Sequence, residues 1–317
     1  MKRNLASLLI ALPLLLGAYT ASAQTYNIAK PTEDANNWEI QTKAATGNPV
    51  TIKYTGNKYV KSVDLKPTNL PLPGEFSVST TKKVKFSKGN LMYNVNDKTW
   101  RFAEHQWDVV GGTVNNAHVG NVSGSSNDNA AGPWIDLFGW GTWSEAGADP
   151  QETSTDKAKY ETGVTDYGGH GDFTDVCKDG IASGWKTLSH DEWNYLINTR
   201  TTTTGIRYSK ATVHDVKGLV LLPDEWKGEY QFTNNSTSNQ TFVEISDADW
   251  ATLESEGAVF LPAAGHRYGE FVYNVGNNIN YWSKTSRDTE FAYRVEFVEL
   301  EYTYRRNGLS VRLVWGL

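Results

Sequence analysis

Two short apolar runs, each ended by a proline, are the clearest pattern in the chain. They are residues 218–222 (GLVLL), followed by Pro223, and residues 258–261 (AVFL), followed by Pro262. A continuous apolar run of this length, bounded by residues that break regular structure, is typical of a strand buried on both faces. We therefore predict a core strand at each position.

A helix start precedes each run. Ser189 is followed three residues later by Glu192, which forms the pattern of a capping box, and Trp193, Leu196 and Ile197 then give an apolar helical face. Upstream of the second run, Ser246 and Asp249 resemble the same box. Trp250 and Leu253 share a helical face there, and Gly257 is suited to the left-handed conformation that ends a helix. The sequence thus predicts two helix-plus-strand units in one domain.

Alternating apolar and polar positions predict strands elsewhere. Residues 50–54 and 59–65 alternate around a Gly56-Asn57 turn and predict a hairpin, preceded by an extended segment, residues 24–48. Three prolines and Gly74 in residues 67–74 predict a stiff linker and a domain boundary. The main domain, residues 75–317, contains further alternating segments: 76–78, 84–86, a hairpin at 91–102, 281–283, 291–297 and 309–314. We expect the last of these to close a sheet with earlier strands, and we predict long loops at residues 111–132 and 144–183.

The first 23 residues have the pattern of a secretory signal peptide. Lys2 and Arg3 precede an apolar segment at residues 8–16, and residues 21–23 (ASA) fit a cleavage site before Gln24. We therefore predict an exported protein with no transmembrane segment after cleavage. A signal peptide leaves open whether the destination is the periplasm, the cell surface or the medium.

Composition narrows the classes of function. The net charge of -6 argues against nucleic acid as a partner, because nucleic-acid-binding proteins normally present a basic face. A single cysteine, Cys177, excludes an intramolecular disulfide, and no zinc-binding spacing is present, so we predict neither a metal nor a cofactor. The chain has 12 Trp and 16 Tyr, residues that serve in cores and also as stacking surfaces for sugars and proteins.

Several separated motifs in a fixed order resemble a known family. They are WxxLSxxEWxxL at residues 185–196, GLVLLPD at 218–224, GAVFLPAAGxR at 257–267, YWSxT at 281–285, NGxSVRLV at 307–314 and, upstream, VKFSKGNL at 84–91, WRFAEHQW at 100–107 and DLFGWGT at 136–142. Together they resemble the exported Bacteroidetes proteins that carry a C-type-lectin-like domain. That group is related to the Fibrobacter major paralogous domain and, more distantly, to the formylglycine-generating enzyme fold.

The resemblance implies an α+β fold of twisted antiparallel strands with two short helices, behind a small N-terminal β element. It also implies long loops used for binding. The formylglycine-generating enzyme works through a pair of active-site cysteines, so a chain with Cys177 alone is not expected to share its activity. The motifs by which calcium-dependent lectins hold calcium and sugar are absent as well.

Four residues are candidates for ligand contact. Trp134, Trp140 and Trp143 form either a stacking platform or part of the core beneath the loops. Arg267 follows a core strand. The resemblance implies a buried structural arginine there, as for Arg312, and anion binding is the alternative.

The sequence also leaves open whether its carboxylates form a calcium site or a catalytic pair. The acidic loops offer oxygen ligands for calcium or are ordinary solvated charge: Asp149, Glu152, Asp156, Asp166, Asp172, Asp175 and Asp179. A glycosidase needs two facing carboxylates, and Asp224 with Glu225 is one candidate pair.

The main prediction is a non-catalytic exported module that binds a glycan or a protein surface. The alternatives are a structural or adhesive surface component and a polysaccharide hydrolase. The oligomeric state stays open.

Overall fold

The computed structural model describes the greater part of the chain beyond residue 69 and four strands before it. The described residues are 24–26, 37–42, 50–55, 63–65, 70–94, 98–111, 113–114, 117–118, 134–142, 172, 181, 184–228, 230–232, 242–268 and 271–317. The chain divides into two compact units, Met1–Thr68 and Asn69–Leu317. The predicted signal peptide and the greater part of both predicted loops lie outside the described residues.

The smaller unit contains two antiparallel strand pairs. Its strands are β1 (Gln24–Tyr26), β2 (Asn37–Thr42), β3 (Val50–Thr55) and β4 (Val63–Leu65). β3 pairs with β2, and β4 pairs with β1. The predicted hairpin between residues 50–54 and 59–65 is therefore wrong in its partners. Alternation indicates that a segment is a strand, but it does not encode the strand with which that segment pairs.

The larger unit is mostly β-sheet. Its first strands are β5 (Phe76–Ser77), β6 (Lys83–Phe86), β7 (Leu91–Asn94), β8 (Thr99–Phe102), β9 (Thr113–Val114), β10 (Ala117–His118), β11 (Trp134–Ile135) and β12 (Trp185–Thr187). The later strands are β13 (Tyr208–Val213), β14 (Val216–Leu221), β15 (Val243–Ile245), β16 (Val259–Pro262), β17 (His266–Tyr268), β18 (Phe271–Tyr273), β19 (Asn280–Ser286), β20 (Phe291–Glu296), β21 (Glu299–Tyr304) and β22 (Leu313–Gly316). The described residues also contain two short helices. These are α1 (His190–Asn194), which continues into a π-helical turn (Tyr195–Thr199), and α2 (Asp247–Ser255). This content is that of an α+β protein.

The sheets are small and nearly all antiparallel. One sheet has the order β12-β22-β6-β5, so the last strand joins the first strands of the unit, as predicted from its alternating pattern. β7 and β8 form the predicted hairpin, with β11 added at its edge. β15, however, pairs in parallel with β13 in the four-stranded sheet β15-β13-β14-β16, an exception to the antiparallel pattern that was expected. β9 and β10 pair within a segment predicted to be loop.

Both predicted helix starts are confirmed. The hydroxyl of Ser189 accepts a hydrogen bond from the backbone N–H of Glu192, and the carboxylate of Glu192 accepts one from the backbone N–H of Ser189. The hydroxyl of Ser246 likewise accepts from the backbone N–H of Asp249. After α2, Gly257 has a φ of +96°, the positive value that favours glycine at a helix end.

The two helices cover opposite faces of the sheet that contains β14 and β16. Leu219 packs in the same cluster as Trp193 of α1. Its neighbour Val220 packs in another cluster with Phe260 and with Trp250 of α2. Because successive residues of a strand point to opposite faces, a strand covered on both sides needs an uninterrupted apolar run. This explains the continuous GLVLL segment.

Two strands of this sheet, β13 and β15, were not predicted. β13 and β14 are joined by a two-residue turn in which His214 and Asp215 have φ values of +47° and +63°. Positive φ at both central residues matches the type I′ turn, whose twist suits a hairpin. Asn-Gly is the usual sequence signal for that turn, so a His-Asp pair did not reveal it.

Candidate functional site

A cleft of about 1020 Å³ opens beside α2. Three parts of the chain form its walls: the segment before β5, the segment after β14, and one side of α2. The lining residues are Pro73, Gly74, Glu75, Pro223, Glu225, Trp226, Lys227, Gly228, Tyr230, Gln231, Asp249, Thr252 and Glu256. A concave surface of this size suits a small ligand or a few sugar units.

The spacing of three polar residues along α2 explains how the helix forms one wall of the cleft. Asp249, Thr252 and Glu256 follow one another at intervals of three and four residues, so they share one side of the helix and the turn that ends it. Trp250 and Leu253 are buried on the neighbouring side, roughly a quarter of a turn around the helix. These two apolar residues anchor α2 on the sheet, while the polar side chains face the cleft.

Trp226 fastens the second wall to the helix. It is 4% exposed, and its indole Nε1 donates a hydrogen bond to Oε2 of Glu256 over 2.7 Å. Gly228 makes room for this contact, because a Cβ atom at that position would lie 2.2 Å from the same Glu256 oxygen. The indole ring also packs edge-on against Phe232, with 5.6 Å between ring centroids. Trp226 is thus a structural part of the wall.

Tyr230 is the aromatic residue of the cleft that remains partly accessible. Its half-buried ring lies 4.7 Å from that of Phe232, measured between centroids. Burial raises the pKa of the Tyr230 phenol, and the charge of Asp249 raises it further. The phenol is therefore a protonated hydrogen-bond donor near a carboxylate.

The cleft is acidic. Glu75, Glu225, Asp249 and Glu256 line it, against the single cation Lys227 among the lining residues. Lys83 and Lys85 lie 3.8 and 3.7 Å from the carboxylate of Glu75 and offset part of its charge. The remaining negative potential repels anions and favours a neutral or cationic ligand.

The candidate carboxylate pair is not assembled in this cleft. Asp224 is buried, and its carboxylate accepts hydrogen bonds from Arg200 over 2.9 Å and from the hydroxyl of Ser77 over 2.6 Å. Glu225, the next residue, lines the cleft instead. Asp224 therefore connects segments within the fold, and the two carboxylates do not face each other across a bound ligand.

The residues expected to contact a ligand lie elsewhere. Trp140 is 1% exposed, its Nε1 donates to the carbonyl oxygen of Ser283 over 2.9 Å, and Arg305 stacks on its ring. Trp134 is half-buried under the guanidinium of Arg101, which lies 3.7 Å from the ring centroid. The structure thus places Trp140 in the core and not on a stacking surface.

Arg267 is also in the core. Its side chain is fully buried, and its backbone exchanges hydrogen bonds with Gly308. Arg312 is buried as well and donates to Oε1 of Gln106 over 2.7 Å. Burial removes both guanidinium groups from solvent, where a ligand would approach. Trp143 lies outside the described residues.

The acidic loop residues are nearly all outside the described part of the chain. Asp172 is the one of them that the structure describes, and its carboxylate accepts from Nζ of Lys284 over 3.0 Å and from the backbone N–H of Thr187 over 3.1 Å. Within the described residues, His, Cys, Asp and Glu side chains do not gather in threes as they would around a metal ion.

Sequence reasoning missed the cleft because its walls are far apart in the chain. The available signals were the polar side of the predicted helix and the aromatic residues Trp226 and Tyr230 just after a core strand.

Comparison of the chain with protein-family models, curated proteins and solved structures found no match. Across the described ranges, no helix has both the length and the apolar character that crossing a bilayer requires.

Proposed function

We propose that this chain is an exported, non-catalytic binding protein whose acidic cleft binds a neutral glycan. The observation that carries the proposal is the lining of the cleft, which combines the accessible ring of Tyr230 with four carboxylates and the amide of Gln231. Sugars present hydroxyl groups that donate to carboxylates and apolar ring faces that pack on aromatic rings. The negative charge of the cleft favours uncharged sugars over acidic ones.

We further propose that the larger unit is a C-type-lectin-like domain. The support for this is the order of the sequence motifs, together with small, mainly antiparallel sheets, two short helices and a C-terminal strand that joins the first strands of the unit. A concave cleft formed by loops and one helix also agrees with binding through loops.

The test is a screen of the full chain against an array of neutral and acidic glycans, followed by titration calorimetry with the neutral glycan that binds best. We expect Tyr230→Ala to weaken that binding roughly tenfold, which corresponds to about 1.4 kcal/mol. Glu225→Gln is a second variant. The side chain of Glu225 is exposed and is not part of the core, so this substitution should leave the fold intact. We expect it to weaken binding through the loss of an acceptor charge.

Tyr302→Ala is the matched control, since Tyr302 is an exposed tyrosine outside the cleft. Its affinity for the neutral glycan should equal that of the unchanged protein. The proposal fails if the folded protein binds no neutral glycan, or if both cleft variants bind as well as the control. Release of reducing ends from the bound glycan would show a hydrolase and contradict the non-catalytic part.

A further inference from the structure

A second surface with the opposite charge preference lies at one end of the β20–β21 strand pair. Phe291 lies directly opposite Tyr304, and Tyr293 directly opposite Tyr302. Direct partners in an antiparallel pair share a face of the sheet, and alternate residues of one strand do so too. The register therefore places four aromatic side chains on one face of this strand pair.

Two arginines stack on these rings. The guanidinium of Arg287 lies 3.6 Å from the ring centroid of Tyr302, and that of Arg306 lies 3.8 Å from the ring centroid of Tyr304. The ring of Phe291 contacts both tyrosines, with centroid distances of 5.6 Å to Tyr302 and 4.4 Å to Tyr304. We call these five residues the arginine–aromatic surface.

The exposed part of this surface is small and well defined. Tyr302 is 44% exposed and the side chain of Arg287 is 39% exposed. At the other end of the same face, His190 of α1 covers Tyr293, with 4.3 Å between the rings, and Val295 belongs to the core. The helix therefore leaves one aromatic ring and one stacked guanidinium at the solvent side of the strand pair.

The local charge is complementary to an anion. The exposed Arg287 and the buried Arg306 each place a guanidinium over a ring of this surface, although the whole chain has a net charge of -6. The carboxylate of Asp288 lies beside Arg287, with 3.9 Å between Oδ2 and Nε, and its Oδ1 accepts from the backbone N–H groups of Glu290 and Phe291. The glutamates of β21 are in register with β20 residues of the opposite face. The N–H groups of a guanidinium lie in its own plane, so a guanidinium that covers a ring with its face still presents its edge, and two of these N–H groups can bind both oxygens of a carboxylate.

We propose that the arginine–aromatic surface binds a uronic acid unit of an acidic polysaccharide. The sugar ring packs on the exposed face of Tyr302, and its carboxylate accepts hydrogen bonds from Arg287. A protein partner is a poorer fit, because a stable protein interface buries about 800 Å² on each side, whereas one exposed ring and one guanidinium match a single sugar. This site is independent of the cleft and goes beyond the function proposed for it.

The experiment is titration calorimetry of the full chain with tetragalacturonate, with tetramannuronate, and with their fully methyl-esterified forms. The esters keep the rings and remove the charge. We expect at least one acidic tetramer to bind and its ester to bind about tenfold more weakly or worse, a difference of about 1.4 kcal/mol. Tyr302→Ala and Arg287→Gln should each weaken binding of the acidic tetramer by a similar factor.

Tyr230→Ala is the matched control and should leave the affinity for the acidic tetramer unchanged, since Tyr230 lies in the cleft. Thermal unfolding of each variant checks that it is folded. The proposal is overturned if neither acidic tetramer binds the folded protein, or if Tyr302→Ala and Arg287→Gln bind as the unchanged protein does. It is also overturned if Tyr302→Ala abolishes self-association without affecting sugar binding, which would make the occupant a second copy of the chain. If the cleft binds no neutral glycan, the proposed function fails, but the test of the arginine–aromatic surface with the acidic tetramers still stands.

Discussion

Replacement of Gly257 by alanine is expected to lower the free energy of unfolding by about 3 kcal/mol. Gly257 ends α2 with a φ of +96°, and a Cβ atom there would lie 2.5 Å from Cα of Gly74. The approach is mutual, since a Cβ atom on Gly74 would lie 2.2 Å from the carbonyl oxygen of Gly257. Two backbone segments cannot give way as a flexible side chain does, so both the strained φ and the clash contribute.

Gly205→Ala separates these two contributions. Gly205 also has a positive φ, +77°, but a Cβ atom there would meet nothing within 4 Å. Its replacement should cost only the conformational strain, about 1 kcal/mol. The measurement is denaturant unfolding followed by tryptophan fluorescence, because every tryptophan except Trp38 lies in the larger unit. Equal losses of stability in the two variants would show that the contact between Gly74 and Gly257 does not constrain the fold.

The second large effect is expected for Asp224→Ala, which should destabilise the larger unit by about 4 kcal/mol. The carboxylate of Asp224 accepts from Arg200, whose side chain is fully buried, and from the backbone and hydroxyl of Ser77. Burial lowers the pKa of Arg200 to about 10, and the hydrogen bond to Asp224 opposes that shift. Without Asp224, the buried guanidinium has lost its counter-charge and the backbone N–H of Ser77 has lost its acceptor.

Asp191→Ala is the control for this prediction. Asp191 also contacts a nitrogen-bearing side chain, with 2.9 Å between its Oδ1 and Nδ1 of His190, but the side chain of Asp191 is 96% exposed. Exposed pairs contribute little because water solvates both partners, so we expect a loss below about 1 kcal/mol. The same unfolding measurement compares the two variants. An Asp224→Ala variant as stable as Asp191→Ala would mean that Arg200 finds another acceptor or solvent.

Interactions between residues close in the chain were predictable from the sequence. The cap formed by Ser189 and Glu192 and the positive φ of Gly257 depend on atoms within one or two turns. Such contacts form wherever the helix forms, whatever packs on it. The π-helical turn after Asn194 was not predictable, because nothing in the apolar spacing of that segment distinguishes it from an α-helix.

Partners distant in the chain were much less predictable. The alternating pattern of residues 50–54 correctly indicates a strand, yet the partner of that strand is β2 and not the segment that follows the Gly56-Asn57 turn. The aromatic segment that contains Trp134 and Trp140 suited either a stacking surface or a core. The side chain of Trp140 is buried with Ser283, a residue more than a hundred positions away. Composition gives the supply of aromatic rings, while packing decides which of them water can reach.

The sequence by itself determined that two capped helices accompany two strands apolar on both faces, because periodicity and capping are local properties. The tertiary structure alone decided that the helices cover opposite faces of one sheet. It also brought Glu75, Tyr230 and Glu256 around one cleft, and it set Arg287 on the ring of Tyr302. These arrangements depend on contacts between segments that are far apart in the chain. Such contacts are fixed by how the buried faces pack together, and the pattern within any single segment does not specify them.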